Sequence, residues 1–310
     1  MFAITHRKYF YALSATLVAV SLVALFVWGI KLGVDFKGGT IMEVTYNPSS
    51  AVVPSQTEML TAVTDTGVTG VSIRKTGGVD SRTYILRTDT LDESKKNEVV
   101  GALSFEGKNP LEVNRFSAIG PILGKEAARK SLISIVLVVV AILAFITFAF
   151  RKVSAPVASW KYGLFAVVAL SHDIIIPAGF FAVLGKFAGV EVDTLFVTAI
   201  LVILGFSVHD TIVVFDRVRE HLKNNELYRE KKPFDVIVGE SIRETVARSI
   251  NTSLTTLFSL VALYFIGPEA TKYFSLAMIV GIIAGTYSSI FLASSLLVTA
   301  NFWREKKTRQ

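Results

Sequence analysis

TLFVTAILVILGFSVHDTIVVF, residues 194–215, is an apolar run long enough to cross a hydrocarbon core of about 30 Å, yet Ser207-Val208-His209-Asp210-Thr211 places polar and ionisable groups inside it. An aspartate within a membrane span costs about 2.5–3.5 kcal/mol on insertion scales. Such residues therefore face a bundle interior or a water path and mark ion or proton handling. This one stretch decides the class: an α-helical polytopic membrane protein.

Working outward, apolar runs of similar length recur at Tyr11 to Ile30, Lys130 to Phe150, Gly163 to Leu184, Ile250 to Ile266 and Tyr273 to Ala300. With Thr194 to Phe215 they make six spans, one followed by five. The composition agrees, with 52% hydrophobic residues and a mean hydropathy of +0.54. The first span follows His6-Arg7-Lys8 in the manner of a signal peptide. Its length, and the lack of an Ala-x-Ala-like site near Trp28-Gly29, read as an uncleaved anchor.

Lys and Arg in the short connections set the orientation. Arg7 and Lys8, then Arg151, Lys152 and Lys161, then the basic segment 216–249, then Arg304, Lys306, Lys307 and Arg309 all fall on one side. The opposite short loops carry only Lys186 and Lys272. Residues 1–10 and 301–310 and the basic loop are thus expected in the cytoplasm, and residues 31–129 outside. The net charge of +7 follows from this topology and from contact with anionic lipid head groups, without invoking nucleic acid. There is no cysteine, which excludes disulfides and thiolate metal or redox sites.

Between the first two spans the periodicity changes. Thr40 to Tyr46 alternates, Gln56 to Thr66 is helical in pattern, Val68 to Arg74 and Thr83 to Arg87 read as strands, Asp92 to Leu103 as a helix with an acidic start, and Leu111 to Ala118 as a strand. The order β-α-β-β-α-β predicts an external ferredoxin-like α+β domain, with Gly77-Gly78 turning the chain before the third strand. A structural cap and a substrate-handling domain are both consistent with it.

Asp210 lies about one and a half turns inside Asp216 and Arg217, within reach of cytoplasmic water. It reads either as a carboxylate that gains and loses a proton or as a fixed structural one. Arg248, at the inner end of the fifth span, is the candidate counter-charge, with Thr252, Thr255 and Ser259 continuing along one face toward the bundle; the alternative for Arg248 is an ordinary positive-inside residue. Asp173, with His172, is a second intramembrane candidate in the third span, before Pro177 and Gly179, where a kink and close packing are expected. Adjacent helical residues point about 100° apart, so adjacency alone does not make His172 and Asp173 a pair. His209 is placed to tune charge near neutral pH or to bond a neighbouring helix. Gly281, Gly285, Ser289 and Ala293 recur every four residues as a close-packing face, available to this chain or a partner. No phosphate loop, His-Glu-x-x-His or Gly-x-Ser-x-Gly motif is present, and the Asn251-Thr252-Ser253 sequon lies at a membrane helix end. No cofactor or metal and no enzymatic site are expected; work must draw on an ion gradient or a partner.

Several segments together resemble the SecF family, within the SecD/SecF group of the resistance-nodulation-division superfamily. They are Val34-Asp35-Phe36-Lys37-Gly38-Gly39 after the first span, Ile119-Gly120-Pro121-Ile122-Leu123-Gly124 before the second, and Ser171-His172-Asp173 in the third. Asp210-Thr211-Ile212-Val213-Val214-Phe215-Asp216-Arg217-Val218-Arg219-Glu220 closes the fourth, and Arg248-Ser249-Ile250-Asn251-Thr252-Ser253 opens the fifth. The resemblance implies a subunit of the preprotein translocation apparatus in the cytoplasmic membrane. Its implied partners are SecD as a heterodimer, the SecYEG channel, YajC and YidC, and the translocating preprotein. It further implies that Asp210 and Arg248 serve proton-driven conformational change, and that the external domain helps draw polypeptide outward. Many relatives carry Asn where this chain has His209, so the coupling ion, proton or sodium, stays open. Competing readings are a half-sized efflux transporter of the same superfamily and a non-transducing assembly factor.

Overall fold

The computed structural model describes residues 2–48, 53–76, 80–105, 107–151 and 157–308. The Gly77-Gly78 turn expected above lies outside them, as does Lys152. The chain divides into two compact units, one of residues 32–132 with 192–194 and one of residues 1–31, 133–191 and 195–310.

The first unit holds the sheet. Its strands are β1 Gly39–Tyr46, β2 Ser72–Thr76, β3 Thr83–Thr88 and β4 Leu111–Ile119, in the order β2-β3-β1-β4 with every pair antiparallel. Numbering helices from α1, Arg7–Trp28 of the second unit, the sheet unit carries α2 Gln56–Asp65 and α3 Glu93–Leu103. The element order is the one expected, and the sheet order is compatible with a ferredoxin-like arrangement. Period-two alternation sends Met42, Val44 and Tyr46 of β1 and Tyr84 and Leu86 of β3 to one face. There they pack with Met59 and Val63 of α2 and Val99 and Leu103 of α3. Ser55 and Glu58 form a capping box at α2, and Asp92 Oδ1 accepts from Lys95 N at 2.8 Å at α3. The hydrogen bonds from Ser55 hold the Glu58 carboxyl below the usual carboxylate range. Strand β2 begins four residues later than the expected Val68. Gly67 and Gly70 adopt positive φ on either side of it, and Thr69 Oγ1 donates to Asp89, which folds this stretch as a turn.

The second unit is a helical bundle. After α1 come α4 Pro121–Ala149, which belongs to this unit from residue 133 on, α5 Ser159–Phe187, α6 Thr194–Leu227, which belongs to it from residue 195 on, α7 Phe234–Ile266 and α8 Glu269–Tyr287; α8 runs through a π-helical turn, Ser288–Ala293, into α9 Ser294–Thr308. Six helices among the described residues are long and apolar enough to cross a membrane, the last being Glu269–Arg304. The segment 216–249, read above as a loop, is mostly helix, because α6 and α7 extend to Leu227 and from Phe234. Salt bridges between the extensions hold them together: Arg217 with Glu244, and His221 Nε2 with Glu244 at 3.1 Å. Only 6% of the apolar window of α4 is buried, against 61% for Glu269–Arg304, so the α8–α9 segment is the bundle's centre. Pro177 sits within a continuous α5.

Candidate functional site

Small residues bring the central helices together. A Cβ added at Gly179 of α5 would lie 2.5 Å from Ser21 Cα of α1, and one at Gly281 of α8 would lie 2.2 Å from Ile203 Cδ1 of α6. The four-residue repeat through Gly281 and Gly285 is therefore a contact within this chain, against α6. At Gly285 the nearest neighbours of such a Cβ are Ser207 Cβ at 3.0 Å and Asp173 Oδ2 at 3.6 Å. Close backbone approach thus opens the space in which polar groups from three helices meet.

Asp173 is that meeting point. It is fully buried. Its Oδ2 accepts from Ser207 Oγ at 2.5 Å and from Ser288 Oγ at 2.8 Å, so α6 and the π turn both bond α5 there. His172 Nδ1 lies 2.9 Å from Asp173 Oδ1, so the pairing that adjacency alone left open is made. The 100° step separates their Cβ directions, but a short carboxylate can swing back to an adjacent imidazole. Ser289 of the same turn donates to Ser207 O at 3.1 Å and shares a 2.9 Å hydrogen bond with Thr211. Ser207, Ser288 and Ser289 carried no individual signal in the sequence beyond lying near an aspartate or in a small-residue repeat.

Asp210 differs. It is buried, yet its Oδ2 has no hydrogen-bond partner. Ser249 of α7 lies beside the carboxylate as its nearest hydroxyl, but its buried Oγ falls short of good hydrogen-bond geometry. Arg248 does not pair with Asp210. It is exposed and lines a cleft of about 430 Å³ with Val213, Asp216, Arg217, Glu220, Glu244 and Thr245. The reason is register: Ser249 and Ser253 are the buried face of α7, which turns Arg248 outward. The stripe expected to point into the bundle turns outward with it, since Thr255 and Ser259 are exposed and Thr252 is half-buried. Their hydroxyls donate to carbonyls of their own helix. His209 is exposed and makes no hydrogen bond among the described residues. Asp216 pairs with Arg219 at 2.6 Å and Arg217 with Glu220 at 2.5 Å, so both serve the α6 extension.

The glycine-rich signatures converge in the sheet unit. Asp35 Oδ2 accepts from Thr194 N at 3.0 Å and Thr194 Oγ1 at 2.7 Å, as an N-cap carboxylate does for the first residue of a helix. Gly38 has φ +84°, and a Cβ there would lie 2.7 Å from Pro121 Cα; one at Gly124 would lie 2.8 Å from Gly38 N. Gly39 approaches Thr88 O in the same way. Asp35, Gly38, Gly39, Pro121 and Gly124 thus form one packed junction, with Gly120 O accepting from Gly124 N at 3.1 Å. No group of three or more His, Asp or Glu able to hold a metal occurs among the described residues.

With this geometry in view, the comparisons are informative. Residues 99–303 match the family described as protein export membrane protein SecD/SecF, C-terminal, and residues 23–50 match the SecD/SecF GG motif. The chain is similar to protein translocase subunit SecF of Thermobaculum terrenum, 38% identical over 97% of this chain and 93% of that protein. It is similar to the subunit of the same name of Anaerolinea thermophila, 34% identical over 94% and 91%. Among solved structures it resembles SecDF, a translocon-associated membrane protein from Thermus thermophilus, with a TM-score of 0.79 at 30% identity. That match covers 97% of this chain but 38% of the solved one.

Proposed function

The chain belongs to the SecD/SecF family of protein export membrane proteins, as a SecF-type multi-pass translocase subunit, and from that premise we propose that it couples an ion gradient, carried by protons, to late steps of polypeptide export. The observation that carries the reading is Asp210, a buried carboxylate with a bare oxygen in the middle of a membrane helix. A buried carboxylate with one unsatisfied oxygen suits a group that must exchange a proton with each cycle.

Arg248 acts from the other face of α7. Its guanidinium is exposed in the cleft between α6 and α7, and the stripe continues from it through half-buried Thr252 to exposed Thr255 and Ser259, a poor arrangement against lipid and a good one against a second polytopic subunit. SecD is that partner in the proposal. The solved SecDF chain is long enough to hold such a subunit in addition to the matched part. The partner brings its own polar residues toward Arg248, and the Asp210 proton alters how α6 and α7 sit against it. SecYEG, YajC, YidC and the emerging preprotein are the surrounding assembly. Both termini and the α6–α7 extensions lie in the cytoplasm, the sheet unit outside the cytoplasmic membrane. One charge moved through 100 mV supplies about 2.3 kcal/mol, a bias of roughly fiftyfold on a two-state equilibrium.

The test is gradient-dependent export in vesicles holding the chain with SecD, comparing the parent with Asp210→Asn. The variant should assemble normally and lose the response to the gradient. Full retention of the response would move the function to scaffolding.

A further inference from the structure

A second ionisable group lies in the bundle, and its surroundings differ from those of Asp210. The His172 ring is buried, stacks on Tyr287 of α8 with centroids 5.9 Å apart, and leaves Nε2 without a partner. Tyr287 is itself fixed, donating to Phe10 O of α1 at 2.8 Å and accepting from Ser14 Oγ at 3.3 Å. Asp173 holds three polar contacts, from His172, Ser207 and Ser288. The groups facing the pair are therefore Ser207 from α6, Tyr287 and Ser288 from α8 and the π turn, and, behind Tyr287, Ser14 and the Phe10 carbonyl from α1. None carries a charge at neutral pH.

Charge and hydrogen-bond accounting narrow the possible states. If His172 is neutral with its proton on Nδ1, the Asp173 carboxylate receives three donors and Nε2 is an idle lone pair. If His172 is an imidazolium, Nε2–H is a buried donor with no acceptor, which costs more than an idle acceptor. The first state leaves one net negative charge inside the bundle, and a single added proton cancels it.

We propose that His172 and Asp173 form a second proton-binding site, and that the π turn Ser288–Ala293 reads its occupancy and passes it to the segment carrying Asp210. This rests on the gradient-coupled reading above and adds a site to it. One proton is taken up and one released per cycle: an O–H bond forms on Asp173, and the same bond breaks on release.

Two consecutive serines link Asp173 to α6. Ser288 and Ser289 are consecutive in the π turn; Ser288 donates to Asp173, while Ser289 holds Ser207 O and Thr211, the residue after Asp210. A protonated carboxyl no longer needs two hydroxyl donors and offers one of its own, so the Ser288 hydroxyl redirects its hydrogen to the Gly285 carbonyl, 3.1 Å away, and becomes an acceptor for Asp173. Within a π turn the main-chain bonding already skips a residue, and Ser294 Oγ closes on Ser289 O at 3.1 Å. Such a turn can shift its register by one residue more readily than a regular helix. Ser289 and its grip on Thr211 would move with it.

The experiment is infrared difference spectroscopy of the complex with SecD in lipid vesicles, stepping the pH and reading the carbonyl stretch of protonated carboxyl groups. The expected result is a titrating band that persists in Asp210→Asn, is lost when Asp173→Asn is added, and moves in frequency in Ser288→Ala, which removes one hydroxyl donor. If Asp173→Asn fails to assemble, Ser288→Ala and Ser207→Ala carry the decision. A titrating carboxyl spectrum unmoved by both, or an Asp210→Asn spectrum with no band attributable to Asp173, overturns the proposal. Export in Asp210→Asn that still responds to the gradient would sink the coupling role of Asp210 while leaving this band where it is. The two claims therefore fail separately.

Discussion

Asp173 and Asp210 are both buried aspartates in the middle of membrane helices, and their settings are opposite. Asp173 is wrapped by a ring nitrogen and two hydroxyls from three segments. Asp210 has a bare oxygen, and the one serine hydroxyl beside it falls short of good hydrogen-bond geometry. A fully partnered carboxylate ties helices together, and its charge state is felt by everything it ties. A bare one adds little to packing and leaves its helix free to respond to a group from elsewhere. The bundle thus holds one polar centre that organises this chain and another that keeps an unsatisfied oxygen among the described residues.

The strongest way to break that comparison is to delete each carboxylate in turn and measure stability rather than transport. Asp173→Ala removes two interhelical hydrogen bonds and strands the Ser207 and Ser288 hydroxyls. At about 0.6 kcal/mol on average and up to about 1.7 per bond in a membrane bundle, the loss should be about 1–3 kcal/mol. Asp210→Ala removes no hydrogen bond that Oδ2 makes and takes away a buried unsatisfied oxygen, so it should cost less than Asp173→Ala. Thermal unfolding of the purified protein in one detergent reads both. Equal losses would mean that Asp210 is also a structural carboxylate.

A smaller effect sharpens the same contrast through packing. A Cβ at Gly285 would crowd Ser207 Cβ at 3.0 Å and approach Asp173 Oδ2, so Gly285→Ala should cost about 1 kcal/mol, at the low end of overpacking. Gly205, on α6 near Ser207, has open space where its Cβ would go, so Gly205→Ala should show no loss. If the two substitutions behave alike in the unfolding measurement, close approach at Gly285 is not what shapes the Asp173 centre.

Much of this architecture was legible in the sequence. Six spans follow from run length alone, and period-two alternation around Met42, Val44 and Tyr46 places β1 correctly. Asp210 stood out because an aspartate in an apolar run has no bland explanation at the level of composition. The polar stripe of α7 was read with the right spacing and the wrong direction. Periodicity groups Arg248 with Thr252 and Thr255 on one face, but it holds no information on whether that face or the one through Ser249 and Ser253 meets the bundle, since both are polar. The Asp173 centre was hidden for a related reason. Its partners are serines from residues 34 and 115 positions away, and serines are common and weakly informative in membrane helices. The π turn left no mark either, because Ser288 to Ala293 has the composition of any small-residue helix.

The smallest difference concerns those serines, and it isolates what a hydroxyl does at each carboxylate. Ser207 Oγ donates to Asp173 at 2.5 Å, and its main-chain oxygen accepts from Ser289. Ser207→Ala keeps the second bond and loses the first, so it should cost about 0.6 kcal/mol and no more than about 1.7. Ser249 is just as buried, but its hydroxyl has no partner. Replacing an unsatisfied buried hydroxyl by a methyl group removes a desolvated polar atom and gives up no bond, so Ser249→Ala should leave stability unchanged or raise it slightly. A Ser249→Ala loss as large as that of Ser207→Ala would show that the Ser249 hydroxyl does close on Asp210 in the membrane. The two carboxylates would then differ in the number of their partners rather than in kind.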